Sequence, residues 1–171
     1  MVKPLFSHGG FDLVPMQKRH IVPFLNDMAA YNIAEYQDES DNLLSILIDM
    51  QKHEDCFVVE KNGSPIQIVG VQAIGNQQSQ MWSMFTNEME RSWIGVVKFS
   101  PRIISYIHQT YYEIHLSVNA EDLGVIKWMI WLGFFISSTV EDESGDTYVQ
   151  FVRCNPDRKN VYALSSRPVM H

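Results

Sequence analysis

The sequence has little cysteine, no long hydrophobic run and no excess of positive charge. Cys56 and Cys154 are its two cysteines, and thiols so far apart make neither a disulfide framework nor a zinc site. No apolar run reaches the ~18 residues that a bilayer-spanning helix needs. The first ten residues also lack the pattern of a signal peptide. These absences predict a protein of the cytoplasm whose thiols are small buried hydrophobes.

Positive charge is scarce as well. Thirteen Lys and Arg residues against 20 Asp and Glu residues give a formal net charge of -7. Such an acidic chain offers no electrostatic footprint for nucleic acid or for an anionic membrane. The histidines show no ligand spacing such as His-x-x-x-His, so no metal site is predicted. The chain is 46% hydrophobic over 171 residues, which is enough for the core of one globular domain.

The chain does contain an ordered series of strand and helix signals. Strands are predicted at residues 11–14, 56–60, 66–74, 81–86, 111–118, 134–140 and 147–152. Helices are predicted at residues 17–36 with a break near Pro23, at 42–52 behind a cap at Ser40 or Asp41, from Pro101 behind a cap at Ser100, and at 121–132. Residues 87–92 are predicted to be a break without regular structure. Residues 1–153 are predicted to form the domain, and 154–171 a tail or arm.

Two turn signals and one long connection add detail to this order. Asn62-Gly63 predicts a hairpin turn, because both residues tolerate positive φ. The helical connection between strands 81–86 and 111–118 predicts that these two strands pair in parallel and splay at their C-terminal ends. Strands and helices alternate in the second half of the chain, which predicts a mixed sheet with helices on both faces.

Residues 114–135, IHLSVNAEDLGVIKWMIWLGFF, read as an apolar strand, a helix closed by Gly133 and an aromatic residue that starts the next strand. Together with the order of elements, this segment resembles the GNAT (acetyltransferase-like) superfamily over residues 11–152. The resemblance implies an α/β (α+β) fold with a mixed, mostly antiparallel sheet of six to seven strands and helices on both faces. It also implies an acyltransferase-like function that uses acetyl-CoA.

A narrower resemblance is carried by two tryptophans. Strands 56–60, 66–74 and 81–86 form a predicted antiparallel meander, and Trp82 stands near the start of its third strand. Trp93 stands shortly before Gly95. This pattern is similar to the GNAT-like internal virion proteins of short-tailed bacteriophages. It implies a role through protein partners, either other virion proteins or a second copy, and a location in the host cytoplasm or the virion.

The GNAT resemblance also implies where a cofactor would bind. The superfamily holds the cofactor's pyrophosphate on a loop of pattern Gln/Arg-x-x-Gly-x-Gly/Ala, and the matching segment here is RSWIGVV at residues 91–97. Its Arg and Gly stand one residue too far apart, and a valine replaces the second small residue, so weak binding of acetyl-CoA is predicted. The alternative is that Gly95 marks only a turn before a helix. The residues implied as cofactor-binding are Phe85, Asn87, Arg91, Trp93, Gly95, Val96 and Val97.

The catalytic residues are less well matched. The superfamily's proton donor, a tyrosine on the fourth helix, falls on Met129, and a thioether cannot donate a proton. Glu88 and His115 are the candidates for the base. His115 shares one strand face with Glu113, Ser117 and Asn119. This polar face predicts a cleft where two strands splay, a satisfied polar layer under a helix, or a strand closer to the sheet edge.

Three functions therefore remain open. The first is a GNAT-fold protein with lost or weak catalysis that acts by binding partners, as the virion resemblance implies. The alternative is an active acyl-CoA-dependent N-acetyltransferase, and the third is a sensor that binds acyl-CoA without transfer. The fold alone does not choose between them.

Overall fold

The structure, a computed structural model, describes residues 3–29, 40–52 and 55–157. The strands in this part of the chain are β1 Phe6–His8, β2 Phe11–Pro15, β3 Cys56–Lys61, β4 Ser64–Gly75, β5 Gln78–Phe85, β6 Glu113–Asn119, β7 Phe135–Glu141 and β8 Thr147–Cys154. The helices are α1 Lys18–Asn26, α2 Ser40–Gln51, α3 Asn87–Arg91, α4 Trp93–Ile107 and α5 Leu123–Trp131. None of these helices is long and apolar enough to cross a membrane.

The strands form one sheet in the order β1-β2-β3-β4-β5-β6-β8-β7. Adjacent strands pair in antiparallel fashion from β1 to β4 and again among β6, β8 and β7, whereas β5 and β6 are parallel. This is the mixed, mostly antiparallel α/β architecture that was predicted, with eight strands in place of six to seven. The additional strand β1 has only three residues and pairs with β2 across a turn at Gly9 and Gly10, both with positive φ. So short a strand carries no periodic signal in the sequence.

Two of the local predictions are confirmed by the backbone. Asn62 and Gly63 have φ of 52° and 79° and connect β3 to β4, as expected of a tight hairpin turn. The parallel pairing is confirmed by the register Gln78↔Glu113 to Gln80↔His115, which begins three residues before the predicted strand start at 81. The predicted splaying of the later residues stays a prediction.

The predicted helix boundaries at the prolines are wrong. Pro23 lies within α1 without ending it, and Pro101 lies within α4 rather than at its start. Proline has no amide hydrogen for the carbonyl four residues earlier, which for Pro101 is the carbonyl of Val97. The Ser100 hydroxyl donates a hydrogen bond to that carbonyl at 2.6 Å, so Ser100 replaces the missing donor instead of capping a helix.

Two further boundaries differ from the predictions. Residues 87–92 were predicted to be irregular, but Asn87–Arg91 form α3, with Thr86 as its N-cap. Helix α2 begins at Ser40, two residues earlier than predicted, so Ser40 belongs to the helix. Of the predicted tail, residue 154 ends β8 and residues 158–171 lie outside the described residues, so the domain boundary at 153 stays a prediction.

The chain divides into two compact units, the first within Met1–Gln72 and Met81–Ile104 and the second within Ala73–Gln80 and Ser105–His171. In the first unit, buried side chains of α1 and α2 pack with those of β3, β4 and β5. The central members of this core are Phe24, Leu47, Val58, Ile68 and Met84, each with no exposed surface. Burying each such side chain contributes on the order of 1.5–3 kcal/mol.

The second unit shows the alternation expected of a half-buried strand. Ile114, Leu116 and Val118 of β6 are buried, whereas Ser117 between them is exposed. Helix α5 buries Trp128 and Met129 and ends at Trp131. Gly133 follows its C-cap Leu132, and its φ of 86° is the left-handed conformation typical of a glycine after a helix.

Candidate functional site

The segment after α1 pairs with the end of β5. The amide of Ala29 donates to the carbonyl of Phe85 at 2.9 Å, and the amide of Asn87 donates to the carbonyl of Asp27 at 2.8 Å. Met28 and Thr86 form an antiparallel bridge between these two bonds. Phe85 and Asn87, both implied as cofactor-binding residues, therefore each have a backbone group that is already bonded within the first unit.

Asp27 and Thr86 together cap α3. The Asp27 carboxylate accepts from the amide of Glu88 at 3.1 Å, and the Thr86 hydroxyl accepts from the amide of Met89 at 3.3 Å. The first amides of a helix have no partner inside the helix, and here the amides of Asn87, Glu88 and Met89 are all satisfied by residues outside it. This capping explains why five residues hold a helix where the sequence predicts a break.

Glu88, one of the two candidate bases, is the centre of an ion-pair cluster. Its Oε1 atom lies 2.7 Å from the Lys61 Nζ atom, and its Oε2 atom accepts from the Arg91 Nη1 atom at 3.2 Å. The Ser92 hydroxyl donates to the same carboxylate at 3.1 Å. The hydrogen bonds from Lys61 and Ser92, followed by the charges of Lys61 and Arg91, lower the pKa of Glu88. A carboxylate held in this way is a weaker base than an ordinary glutamate.

We expect the Lys61→Met substitution to raise the pKa of Glu88 toward its ordinary value, because the strongest of these hydrogen bonds is lost. The measurement is a titration of the Glu88 side-chain carboxyl by NMR. Lys52→Met is the matched control. It removes an exposed lysine just after α2 whose Nζ atom lies 3.0 Å from the Asp49 carboxylate. A Glu88 titration that Lys61→Met leaves unmoved would contradict the assigned cause.

The segment predicted to bind phosphate lies in two helices with Ser92 between them. The amide of Ser92 donates to carbonyls of α3, and its own carbonyl accepts from the amide of Val96 at 3.1 Å. Gly95 is the third residue of α4, so it is not a turn before a helix. A Cβ atom at Gly95 would lie 2.6 Å from the Phe11 ring, so the glycine allows α4 to pack closely on β2.

The other predicted cofactor contacts differ in exposure. Val96 is buried, Trp93 and Val97 are half-buried, and the Arg91 side chain is 67% exposed. Arg91 is therefore the one charged, accessible side chain among the residues predicted to contact the cofactor. It lies 4.0 Å from a carboxylate oxygen of Asp27 in addition to its bond with Glu88.

His115, the second candidate base, belongs to a hydrogen-bonded chain in the second unit. Its Nε2 atom lies 3.0 Å from the Glu113 Oε2 atom, which also accepts from the Gln78 Nε2 atom at 2.8 Å. Further along β6, the Ser117 hydroxyl donates to the Gln150 side chain at 2.7 Å. His115 and Ser117 thus each have a hydrogen-bond partner within the second unit, and the cleft stays a prediction. Glu88 lies in the first unit and His115 in the second.

The two thiols and the carboxylates form no metal centre in the residues described. No group of three or more His, Cys, Asp or Glu side chains there could hold a metal ion. Both cysteines are free, and burial, followed by the charge of Asp55, raises the pKa of Cys56 to about 11. Cys56 at neutral pH is thus an unreactive thiol within the apolar core.

Sequence reasoning missed Lys61, Asp27 and Ser92. Lys61 is the last residue of β3 and Asp27 follows α1, and neither stands in a pattern that marks a binding residue. Ser92 lies inside the segment 91–97 that was matched to the phosphate loop, but the pattern treats it as a variable position. The local signal available was Thr86 three residues before Met89, a spacing typical of a helix N-cap.

Solved acetyltransferase structures share this fold. A GNAT-family acetyltransferase from Bacillus anthracis superposes with a TM-score of 0.70 at 8% identity, over 90% of this chain and 97% of that chain. The ribosomal-protein-S5-alanine acetyltransferase from Vibrio fischeri gives 0.66 at 13% identity, over 91% and 98%. A chimaera of the Vibrio cholerae spermidine N-acetyltransferase SpeG with hSSAT gives 0.70 at 15% identity, over 85% and 96%.

The fold is therefore that of the GNAT acetyltransferases, as the segment at residues 114–135 implied. At these identities the likeness establishes the fold alone. No protein-family model and no curated protein sequence matches the chain. Nothing in the comparisons links it to internal virion proteins of phages.

Proposed function

We propose that this chain is a GNAT-fold protein with lost or weak acyl transfer that acts by binding partners. The observation that carries the proposal is that the segment matched to the phosphate loop, residues 91–97, is the junction of two helices. A phosphate loop needs backbone amides that point at the ligand. Here the amides of Ser92 and Val96 are bonded within the chain. The charged group that this segment offers to an anion is the exposed Arg91 guanidinium.

The catalytic groups support the same proposal. Glu88 is a carboxylate of lowered pKa that is paired with Lys61 and Arg91, so it is a poor proton acceptor. The proton-donor position holds Met129, whose side chain is 4% exposed and cannot donate. Both observations favour lost or weak transfer, and His115 stays the other candidate base.

Partner binding is supported by apolar surface in the second unit. Every residue of β7 is exposed, although this strand contains Phe135, Ile136 and Val140. Trp131 at the end of α5 is 60% exposed. Exposed apolar patches of this kind are typical of protein interaction surfaces. The partner that we propose is either a virion protein, as the narrower resemblance implies, or a second copy of this chain.

Isothermal titration with acetyl-CoA tests the cofactor part of the proposal. We expect a Kd of ~0.1 mM or weaker, where ~1 mM corresponds to only about 4 kcal/mol of binding free energy. Arg91→Ala should weaken binding further, whereas Arg102→Ala, which removes an exposed arginine elsewhere on α4, should not. A Kd below ~10 μM that Arg91→Ala leaves unchanged would contradict this placement.

Release of the coenzyme thiol tests the catalytic part. With small amines and peptide N-termini as acceptors, we expect turnover far below the ~1–10³ per second of ordinary enzymes. Turnover within that range would favour the active N-acetyltransferase instead. Weak binding with no turnover supports the partner-binding function, and tight binding with no turnover supports an acyl-CoA sensor.

A further inference from the structure

A buried histidine holds the first turn of α1. His20 has no exposed surface, and its Nδ1 atom accepts the backbone amide hydrogen of Gln17 at 2.9 Å. An imidazole nitrogen that accepts has no proton, so the proton of the neutral ring is on Nε2. The Nε2 atom lies 3.0 Å from the Glu60 Oε1 atom and donates to it. Both ring nitrogens are therefore hydrogen-bonded, one to the start of α1 and the other to β3.

The charged groups around this ring come from α1, β2 and β3. Arg19 beside it in α1 pairs with the Glu60 carboxylate at 2.7 Å, and Asp12 of β2 is the cross-strand partner of Glu60. Burial lowers the pKa of His20 from its ordinary value of 6.5, and the charge of Arg19 lowers it further, while Glu60 raises it. The first two effects are larger, so the folded protein favours the neutral ring.

Protonation of this ring is incompatible with the bonds it makes. A hydrogen on Nδ1 would point at the amide hydrogen of Gln17, and two donors cannot share one bond. The charged ring must therefore turn away, and α1 loses the bond that caps its first turn. The ring also has no exposed surface, so the charged form cannot be solvated where the neutral ring now lies.

The other end of α1 carries the contacts with β5 and α3. The helix has nine residues, so it is about 13 Å long at ~1.5 Å per residue. Residues 27–29, directly after it, bond to the Phe85 carbonyl and to the amides of Asn87 and Glu88. A change at His20 is thus about two helical turns away from the bonds that residues 27–29 make with the end of β5 and the start of α3.

We propose that α1 is a proton-operated latch, in which protonation of His20 frees the first turn of the helix and loosens the grip of residues 27–29 on the end of β5 and the start of α3. The latch is closed at neutral pH and opens in acid. Because the folded pKa lies below the unfolded value, the closed state begins to lose free energy as the pH falls below about 6.5, and the loss reaches its full size below the folded pKa. The latch does not depend on whether the protein transfers acyl groups.

Hydrogen exchange measured by NMR tests the latch in the full chain. The amides of Ala29, Asn87 and Glu88 report directly on these contacts, because each amide donates one of the hydrogen bonds between residues 27–29 and residues 85–88. From about pH 7.5 to pH 5, their protection factors should fall ~10-fold for each unit by which the His20 pKa lies below its ordinary value. Protection factors are used because they remove the intrinsic pH dependence of exchange.

Two variants separate the latch from general acid sensitivity. His20→Gln keeps a side-chain amide that can donate to Glu60 and does not titrate, so protection of the three amides should become independent of pH. His108→Gln is the matched control, since His108 is also buried with a lowered pKa but lies in the second unit. The acid loss at Ala29, Asn87 and Glu88 should persist in it.

The proposal is overturned if wild-type protection at these amides does not change with pH, or if His20→Gln retains the loss. It is also overturned if His108→Gln abolishes the loss. If His20→Gln does not fold, the latch is tested by an NMR pH titration of the wild-type chain. The His20 ring carbon signals and the amide shifts of Ala29 and Asn87 must then titrate with one midpoint below 6.5, and different midpoints reject the latch.

Discussion

Gly70→Ala is expected to lower the unfolding free energy by ~1–3 kcal/mol, because an overpacked core forces side chains off their rotamers. A Cβ atom at Gly70 would lie 1.9 Å from the indole of Trp82 on the neighbouring strand β5. The contact is with ring atoms, so no flexible chain end can yield to it. Trp82 would have to leave its place against the core of the first unit. Thermal and denaturant unfolding measure the loss, which corresponds to a Tm lower by roughly 2–12 °C.

A second glycine of the same strand provides the control. A Cβ atom at Gly75 would meet the end of the Gln78 side chain at 2.9 Å, and a flexible amide can move away. Gly75→Ala should therefore leave stability within about 0.5 kcal/mol of wild type. In a Trp82→Ala background, Gly70→Ala should cost little, since the ring is gone. If Gly70→Ala costs as much without the indole as with it, the clash is not the cause.

This pair also changes the interpretation of Trp82. Together with Trp93, this tryptophan carries the narrower resemblance to phage virion proteins, but its position over Gly70 is a packing reason for its presence. An aromatic ring that covers a glycine on the adjacent strand is a common way to stabilise a sheet. Packing over Gly70 is thus sufficient to explain Trp82 without a virion role.

The features that the sequence predicts well are those set by two or three neighbouring residues. Asn62-Gly63 requires positive φ at both positions, and Gly133 requires it at one, so each marks its turn without help from the rest of the fold. The parallel pairing of β5 and β6 follows from the long helical connection between them. The order of these elements, together with the segment at residues 114–135, carries the resemblance to the GNAT fold.

The features that could not be predicted depend on partners distant in the chain. Pro101 predicts a helix start until Ser100 is known to serve the carbonyl that the proline leaves without a donor. Helix α3 is stable because Asp27, sixty-one residues before Glu88, accepts the Glu88 amide. Local helix propensity predicts neither of these two hydrogen bonds.

The candidate site illustrates the same limit. Glu88 was identified from its place after a strand, but its chemistry is decided by Lys61, which is twenty-seven residues earlier in the chain. Gly95 was matched to a phosphate loop, whereas its neighbour is the Phe11 ring. A sequence pattern can select the residue type that a reaction needs, but the pKa and the free hydrogen-bonding capacity of that residue are properties of the packed fold.

Met129→Tyr is expected not to restore acyl transfer, although it places a phenol where the superfamily has its proton donor. A positioned general acid contributes ~10²–10⁴-fold only when it reaches the leaving group. The Met129 side chain is 4% exposed, and the Trp128 side chain next to it is 7% exposed. A larger, polar ring at this position should therefore overpack the second unit and lower the unfolding free energy by ~1–3 kcal/mol.

Ile130→Tyr is the matched control, because it puts the same ring on the adjacent residue of α5, where the side chain is 53% exposed. It should change stability by no more than about 0.5 kcal/mol. The measurements are thiol release from acetyl-CoA and denaturant unfolding for both variants. A rise of ~100-fold or more in thiol release with Met129→Tyr, and none with Ile130→Tyr, would show that the protein still holds acetyl-CoA in register. The lost group would then be the acid alone, and a once-active N-acetyltransferase would replace the partner-binding function.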